Sequence, residues 1–468
     1  MITFRRLATN YTLLVAGEVF SKLFTFFAFM YLARTLGPVY YGHLEFTIAV
    51  LVFFTLFVDL GTSPWGAREI AREPEKIQES LSGIFYLRLL MSIAGVLIVF
   101  VFSRTVPDEN LKQLLVLYSF SLLGIPFLLQ WVFQGLQKMK FVAWASVIKQ
   151  FIFSVLIFSI VKTREHLVRI GWIECVSILA IAIFCLIVFQ KEIGKFHPVW
   201  NSAAIKNALK QAYPIGLSEL SWAFVWYSAT VILGFMIGGT AVGYFGASHR
   251  PVMAIHTFIW LHFYNLLPSI SQSMQRGTDH LRGLLDRTLM IAAWGAFLLG
   301  SCGTILAHPL ILMIYGQEYA SAVSIFQILI WVLAALLISG HFSYTLIGWN
   351  LQRFHMVSFL AATIVSLTLS FLLIPRFQAI GAALAVLGGI LTKGVLAWYF
   401  VNKRIGTVPV FRHLWRPFIP AVLSMILLKM FPDWNPFVMA TVVIALFGLF
   451  LWISQPDLFS RVRLAWKE

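Results

Sequence analysis

Charge is what this sequence has least of. Only 12% of its 468 residues are Asp, Glu, Lys or Arg, against 60% that are hydrophobic. A soluble domain carries roughly 25% charged residues, and the mean hydropathy of +0.85 leaves too little polar surface to wrap the apolar side chains in water. A water-soluble globular protein is excluded, and a polytopic membrane protein is expected. Cysteine is also scarce. Cys175, Cys185 and Cys302 are odd in number and lie far apart in apolar runs, which supports neither a disulfide framework nor a metal site. A long polar segment is missing too. The longest connection, about Gln190 to Leu209, is too short to fold as a domain, so function must reside in the membrane or at its edges. No H-E-x-x-H or D-x-D pattern occurs. The chain is expected to be no enzyme, with no catalytic residues, metal or cofactor.

What is present is a succession of oily runs. A helix needs about 20 residues to cross the hydrocarbon. That length divides the chain into fourteen expected spans, 10–33, 42–65, 82–103, 111–133, 141–162, 166–189, 209–236, 240–270, 285–307, 321–348, 354–375, 380–400, 413–431 and 436–454. The first follows Arg5 and Arg6, exceeds a signal h-region and lacks a small-residue cleavage site, so it is expected to be retained. Pro126 in the fourth span and Pro251 in the long eighth are places for a bend. The net charge of +16 comes from cations gathered in short loops, which argues against nucleic acid as a partner. Loops and ends on the N-terminal side hold 22 of the 35 lysines and arginines, and the opposite side holds 8. That bias places both termini in the cytoplasm.

An internal repeat organises the spans. "GLQKMKF" (Gly135–Phe141) after the fourth is echoed by "NLQRFHM" (Asn350–Met356) after the tenth. The first hairpin, "LGPVYYG", is echoed by "IGGTAVGYFG" (Ile237–Gly246), and Glu18 is matched by Glu219. The expected architecture is all-α, with two six-helix lobes at 1–195 and 196–404 and two extra helices with a tail at 405–468. Parallel halves of this kind are typical of alternating-access transporters. In the first hairpin, Gly37 and Gly42 permit a tight reversal, Pro38 suits the first turn of the next helix, and Tyr40 and Tyr41 are expected at headgroup level.

"ARTLGPVYYG", "FVDLGTSPWGAREIAR" (Phe57–Arg72), "MIYGQEYASA" (Met313–Ala322) and "GWNLQRFHMV" together resemble bacterial polysaccharide transporters. These are the O-antigen flippases of the multidrug/oligosaccharidyl-lipid/polysaccharide exporter superfamily. The resemblance implies a MATE-like fold around a central cavity in the bacterial inner membrane. It implies alternating access that carries an undecaprenyl-pyrophosphate-linked oligosaccharide between leaflets, with coupling to H+ or Na+. Membrane lipids, a polysaccharide polymerase and a chain-length regulator are candidate partners. The alternatives are a multidrug exporter of the same superfamily and a membrane-embedded polymerase or glycosyltransferase.

Ionisable groups inside spans cost about 2.5–3.5 kcal/mol each on insertion scales, so each calls for a reason. Lys22, Arg88, Lys149, Arg250 and Lys393 are the five intramembrane cations. The last four lack an acidic residue at helical spacing and read as a cationic cavity that a pyrophosphate would neutralise, or as cross-helix partners of Asp59, Glu174 or Glu219. Glu18 and Lys22, four residues apart, form a structural ion pair or a pair lining the cavity. Trp222 and Trp226 on the seventh span, and His256 and Trp260 on the eighth, are candidate glycan-facing residues, with helix packing the equal alternative. Glu18, Asp59 and above all Glu219, which has no basic neighbour three or four residues away, are the ion-coupling candidates.

Overall fold

The computed structural model describes residues 4–454, with the side chains of residues 4–16, 18, 19 and 76 outside that description. Backbone polar groups in hydrocarbon must be satisfied within their own segment, and the chain complies with helix after helix. The order is α1 (Phe4–Asp59), α2 (Thr62–Arg72), α3 (Ile77–Ser103), α4 (Glu109–Ser119), α5 (Gln130–Gly135), α6 (Met139–Ile160) and α7 (Arg169–Glu192). There follow α8 (Ser202–Met236), α9 (Gly239–Arg276), α10 (Thr278–Tyr315), α11 (Ala322–Gly348), α12 (Gln352–Arg404), α13 (Val410–Met430) and α14 (Pro436–Ser454). Among the described residues no strand occurs, and ten helices are long and apolar enough to cross a membrane.

Two of those ten run 53 residues each, roughly 80 Å if straight, more than twice the hydrocarbon thickness. Both break once. Gly37 adopts φ 71° inside α1, a conformation that favours glycine, and Pro38 opens the next helical stretch. In α12 the break is at Gln378, φ 49°. A Cβ on Gly381 would lie 2.4 Å from the Leu373 carbonyl oxygen, so the returning helix passes directly against the outgoing one. Pro126 lies in a 3-10 segment, Phe120–Phe127, that separates α4 from α5, which places a local unwinding where the sequence allowed a bend.

Contacts divide the chain into two compact units, one of residues up to Gly234 with Gly238–Gly243, the other of Phe235–Ile237 with residues from Tyr244 onward. In the first, α1 packs along α6 and α6 along α7. Ser154 donates to the Phe24 carbonyl (3.1 Å) and the Tyr31 hydroxyl to that of Val161 (2.7 Å). Trp65, Leu81, Trp131, Phe133 and Phe189 form the inner cluster. The linker after α7 runs without regular structure over α3, where the Val199 amide donates to Ser82 Oγ at 3.0 Å. The stretch of α1 after its break meets the first turn of α9 backbone to backbone. A Cβ on Gly42 would stand 1.7 Å from the Gly239 oxygen, and one on Gly243 2.0 Å from that of Pro38. Small residues permit such approach in membranes. Tyr41, expected at the headgroups, is instead buried among these helices.

In the second unit α10 packs on α11, α13 and α14, and α11 on α12. The Phe263 ring fills the space above Gly340, and Trp349 donates its indole N–H to Ser273 Oγ at 2.9 Å.

Local geometry restates the repeat and shifts its register at one pair of turns. Gln137 and Asn350 both take φ 57°. The following amides close matching turns, Lys138 N to Phe133 O and Leu351 N to Leu346 O, each 2.8 Å. Gly135 therefore corresponds to Gly348, two residues from the pairing that the matching leucines Leu136 and Leu351 suggest. At the first hairpin Gly37 corresponds to Gly238, both with positive φ, and this is the spacing that the match of Glu18 with Glu219 suggests. At the Gln137 and Asn350 turns it is backbone conformation, not side-chain identity, that carries the repeat.

Candidate functional site

The first unit gathers a charged group around the motif D-L-G-T-S. Leu60 (φ 45°) and Gly61 (φ 75°) end α1 and restart the chain as α2. Only glycine fits at 61, because a Cβ there would lie 2.5 Å from the Gly216 nitrogen of α8. The break sets Asp59 at the N-terminal end of α2, where exposed N–H groups favour an anion. Its carboxylate accepts from the Ser63 amide (3.3 Å), Ser63 Oγ (2.7 Å) and Thr62 Oγ1 (3.4 Å).

Arg88 of α3, 1% exposed, completes the arrangement. Its Nε donates to Thr62 Oγ1 at 2.8 Å, Nη2 to Ser63 Oγ at 2.7 Å and to the Asp59 carboxylate, and Nη1 to the Leu128 carbonyl at 3.4 Å. The guanidinium also lies 6.0 Å from the Trp131 ring centre. Of the two readings left open for Arg88 and Lys149, the structure shows the cross-helix pairing: Arg88 with Asp59, and Lys149, whose ammonium meets Glu174 at 2.9 Å. Their partners sit on other helices, a pairing that spacing along one helix cannot reveal. Glu219 of α8 is partly buried and interacts electrostatically with both Asp59 and Arg88. Asp59, Arg88 and Glu219 therefore come together, with Thr62 and Ser63 as neutral bridges that sequence reasoning passed over.

The other candidates have surroundings of their own. Lys22 is exposed on α1, and the side chain of Glu18 lies outside the described residues. Trp222 is partly exposed and meets Tyr227 edge to face at 6.0 Å. Trp226, expected to face a glycan, is 1% exposed. In the second unit Arg250 and His256 are half-buried on α9, and Trp260 stacks on Tyr264 with centroids 5.4 Å apart. Lys393 is buried and has no ion-pair partner among the described residues; its ammonium stands 4.8 Å from the Phe359 ring centre. His341 was not singled out by sequence, because one histidine in an apolar run is more often a packed one. It is fully buried, its Nδ1 lies 3.1 Å from the Leu337 carbonyl, and its ring stands 6.1 Å from that of His262.

A multi-pass all-α bundle with charges paired inside it has the architecture of the MATE-like exporters. The lipid II flippase MurJ, in an inward closed conformation, superposes with a TM-score of 0.78 at 17% identity, covering 96% of this chain and 100% of that one. An inward-facing multidrug resistance MATE transporter of the MOP superfamily superposes at 0.62 and 12% identity, covering 84% and 95%. By sequence, residues 7–274 match the family of polysaccharide biosynthesis proteins, and the chain belongs to that family. A candidate O-antigen transporter of Escherichia coli (strain K12) is 25% identical over 394 residues, 81% of this chain and 92% of its own. One of Shigella dysenteriae is 24% identical over 382 residues, 81% of this chain and 96% of its own.

Proposed function

We propose that this protein moves an undecaprenyl-pyrophosphate-linked oligosaccharide, a repeat unit of O-antigen or a related surface polysaccharide, across the bacterial inner membrane by alternating access. One observation carries this reading. A chain of the polysaccharide biosynthesis family is built, over the described residues, of membrane-length helices joined by short links. A protein so built works within the membrane, and a lipid carrier is what holds a sugar there. Both termini lie in the cytoplasm in this reading, in keeping with the distribution of lysine and arginine. The substrate's pyrophosphate supplies the anion that buried cations favour. Coupling to an ion gradient runs through Glu219, the carboxylate that shares the field of the Asp59–Arg88 pair without the hydrogen bonds that tie Asp59 down.

The test is complementation of a flippase-null strain with a defined repeat unit, scoring lipid-linked oligosaccharide in each leaflet. Restored surface polysaccharide with the intermediate cleared from the cytoplasmic leaflet is expected. Persistent cytoplasmic-leaflet accumulation, with the protein present in the membrane, would sink the proposal. Glu219→Gln is expected to weaken the response of transport to the proton or sodium gradient; an unchanged response removes Glu219 from that role.

A further inference from the structure

The surface of α9 differs from the aliphatic stripes of α3 and α7. Exposed positions of α7 carry Val176, Leu179, Ile183 and Ile187 at helical spacing, and those of α3 carry Leu90, Ile93, Leu97 and Val101. Such stripes suit acyl chains. The helix α9 is 38 residues long but is not among the ten apolar enough to cross a membrane. Its largest exposed side chains from the middle onward include Phe258, Trp260 and Tyr264, with no exposed Leu, Ile or Val.

Within this surface one stripe is ordered by residue type. Arg250, Thr257, Trp260, Tyr264 and Ser271 follow at intervals of seven, three, four and seven, which places them on a single helix face. The face becomes more open along its length. Arg250 and Thr257 are half-buried, while Trp260 is 48% and Tyr264 52% exposed. The Trp260 and Tyr264 rings lie nearly parallel, 26° apart. Stacked one turn apart, they make a rigid plate with an apolar body and a polar rim (indole N–H and phenol O–H). Thr257 and Ser271 set a hydroxyl on either side. Arg250 lies about 21 Å up the helix from Tyr264, at 1.5 Å per residue.

We propose that the Trp260–Tyr264 stack is the platform on which the sugar portion of the substrate rests during transport. This rests on the function proposed above and names the part of the substrate that α9 recognises. A sugar ring has one face of C–H groups and a rim of hydroxyls. It matches a plate of aromatic carbon edged by hydrogen-bonding groups better than an acyl chain does. The length of the stripe also suits a substrate with charge at one end and several sugars beyond it.

The test measures binding by the purified full-length protein in detergent, with two probes. One is undecaprenyl-pyrophosphate carrying the oligosaccharide extracted from the complemented strain. The other is undecaprenyl pyrophosphate without sugar. Wild type is expected to bind the glycosylated probe more tightly. Trp260→Ala and Tyr264→Ala are each expected to erode that margin by up to about tenfold, the scale of one aromatic contact, with binding of the bare carrier unchanged. Trp260→Phe, which keeps a ring, is expected to retain most of the margin, and equal melting temperatures of all variants confirm that the fold is intact. If the alanine variants match wild type, or lose both probes equally, the platform is overturned. If wild type binds the bare carrier as tightly as the glycosylated one, the platform also falls but a lipid-carrier function survives. If wild type binds neither probe, the substrate assignment itself is wrong.

Discussion

Arg88 shows how a buried cation changes meaning once its neighbours are known. Its guanidinium joins Asp59, Thr62, Ser63 and the Leu128 carbonyl, so it holds α3 to the α1–α2 junction. Arg88→Ala leaves the Asp59 carboxylate without its counter-charge, and breaking a buried pair this way costs about 3–5 kcal/mol. We expect Arg88→Ala to lower the melting temperature and the membrane abundance. The double variant Asp59→Asn with Arg88→Gln should recover much of the loss, since neither charge is then stranded. Equal stability of the single variant and wild type in a thermal-shift measurement would show that the pair is not structural. Lys149 is about one-third exposed, so solvent screens its pair with Glu174. Lys149→Gln should therefore cost no more than about 1 kcal/mol, read in the same assay.

At the scale of elements, the breaks govern how the chain doubles back. Gly37 needs its positive φ, and Gly37→Ala should destabilise the α1 turn by about 1 kcal/mol or more through a strained backbone. Gln378 occupies a comparable region with a side chain attached. Gln378→Gly should therefore raise the melting temperature or leave it unchanged, because relief of strain offsets the extra freedom of the unfolded chain. A lower melting temperature would mean that the Gln378 side chain contributes more than its backbone costs. Gly42 has no room at all against Gly239, and Gly42→Leu should abolish accumulation of folded protein, as read by fluorescence-detected size exclusion. The helices themselves were legible in the hydrophobic runs. The register of the repeat at one pair of turns was not, because a turn defined by positive φ accepts Gln137 in one half and Asn350 in the other. Two similar segments can then be aligned by their side chains in the wrong phase.

For the whole molecule, the bias of cations towards one side is the strongest statement about orientation. A fluorescent-protein fusion at the C-terminus should glow and an alkaline phosphatase fusion there should be inactive; the reverse pattern would invert the topology. Fusions after residue 162, on the side with few cations, should show the opposite behaviour. Contacts place α8 with the helices before it up to Gly234. Its alanines and glycines (Ala208, Ala212, Gly216) pack against the first unit, a preference invisible in a chain read span by span.

Composition alone determined that this is a multi-pass membrane protein, because 60% apolar residues with 12% charge cannot be folded away from water otherwise. The run lengths determined where helices form, and the motifs determined the family. The tertiary structure decided which charges meet. Helical spacing reports neighbours on one helix only, whereas Asp59 and Arg88, or Lys149 and Glu174, lie on different helices and find each other through packing. It also decided which aromatics are buried, like Trp226, and which are open, like Trp260. Exposure depends on what lies opposite a residue, and that is set by the fold.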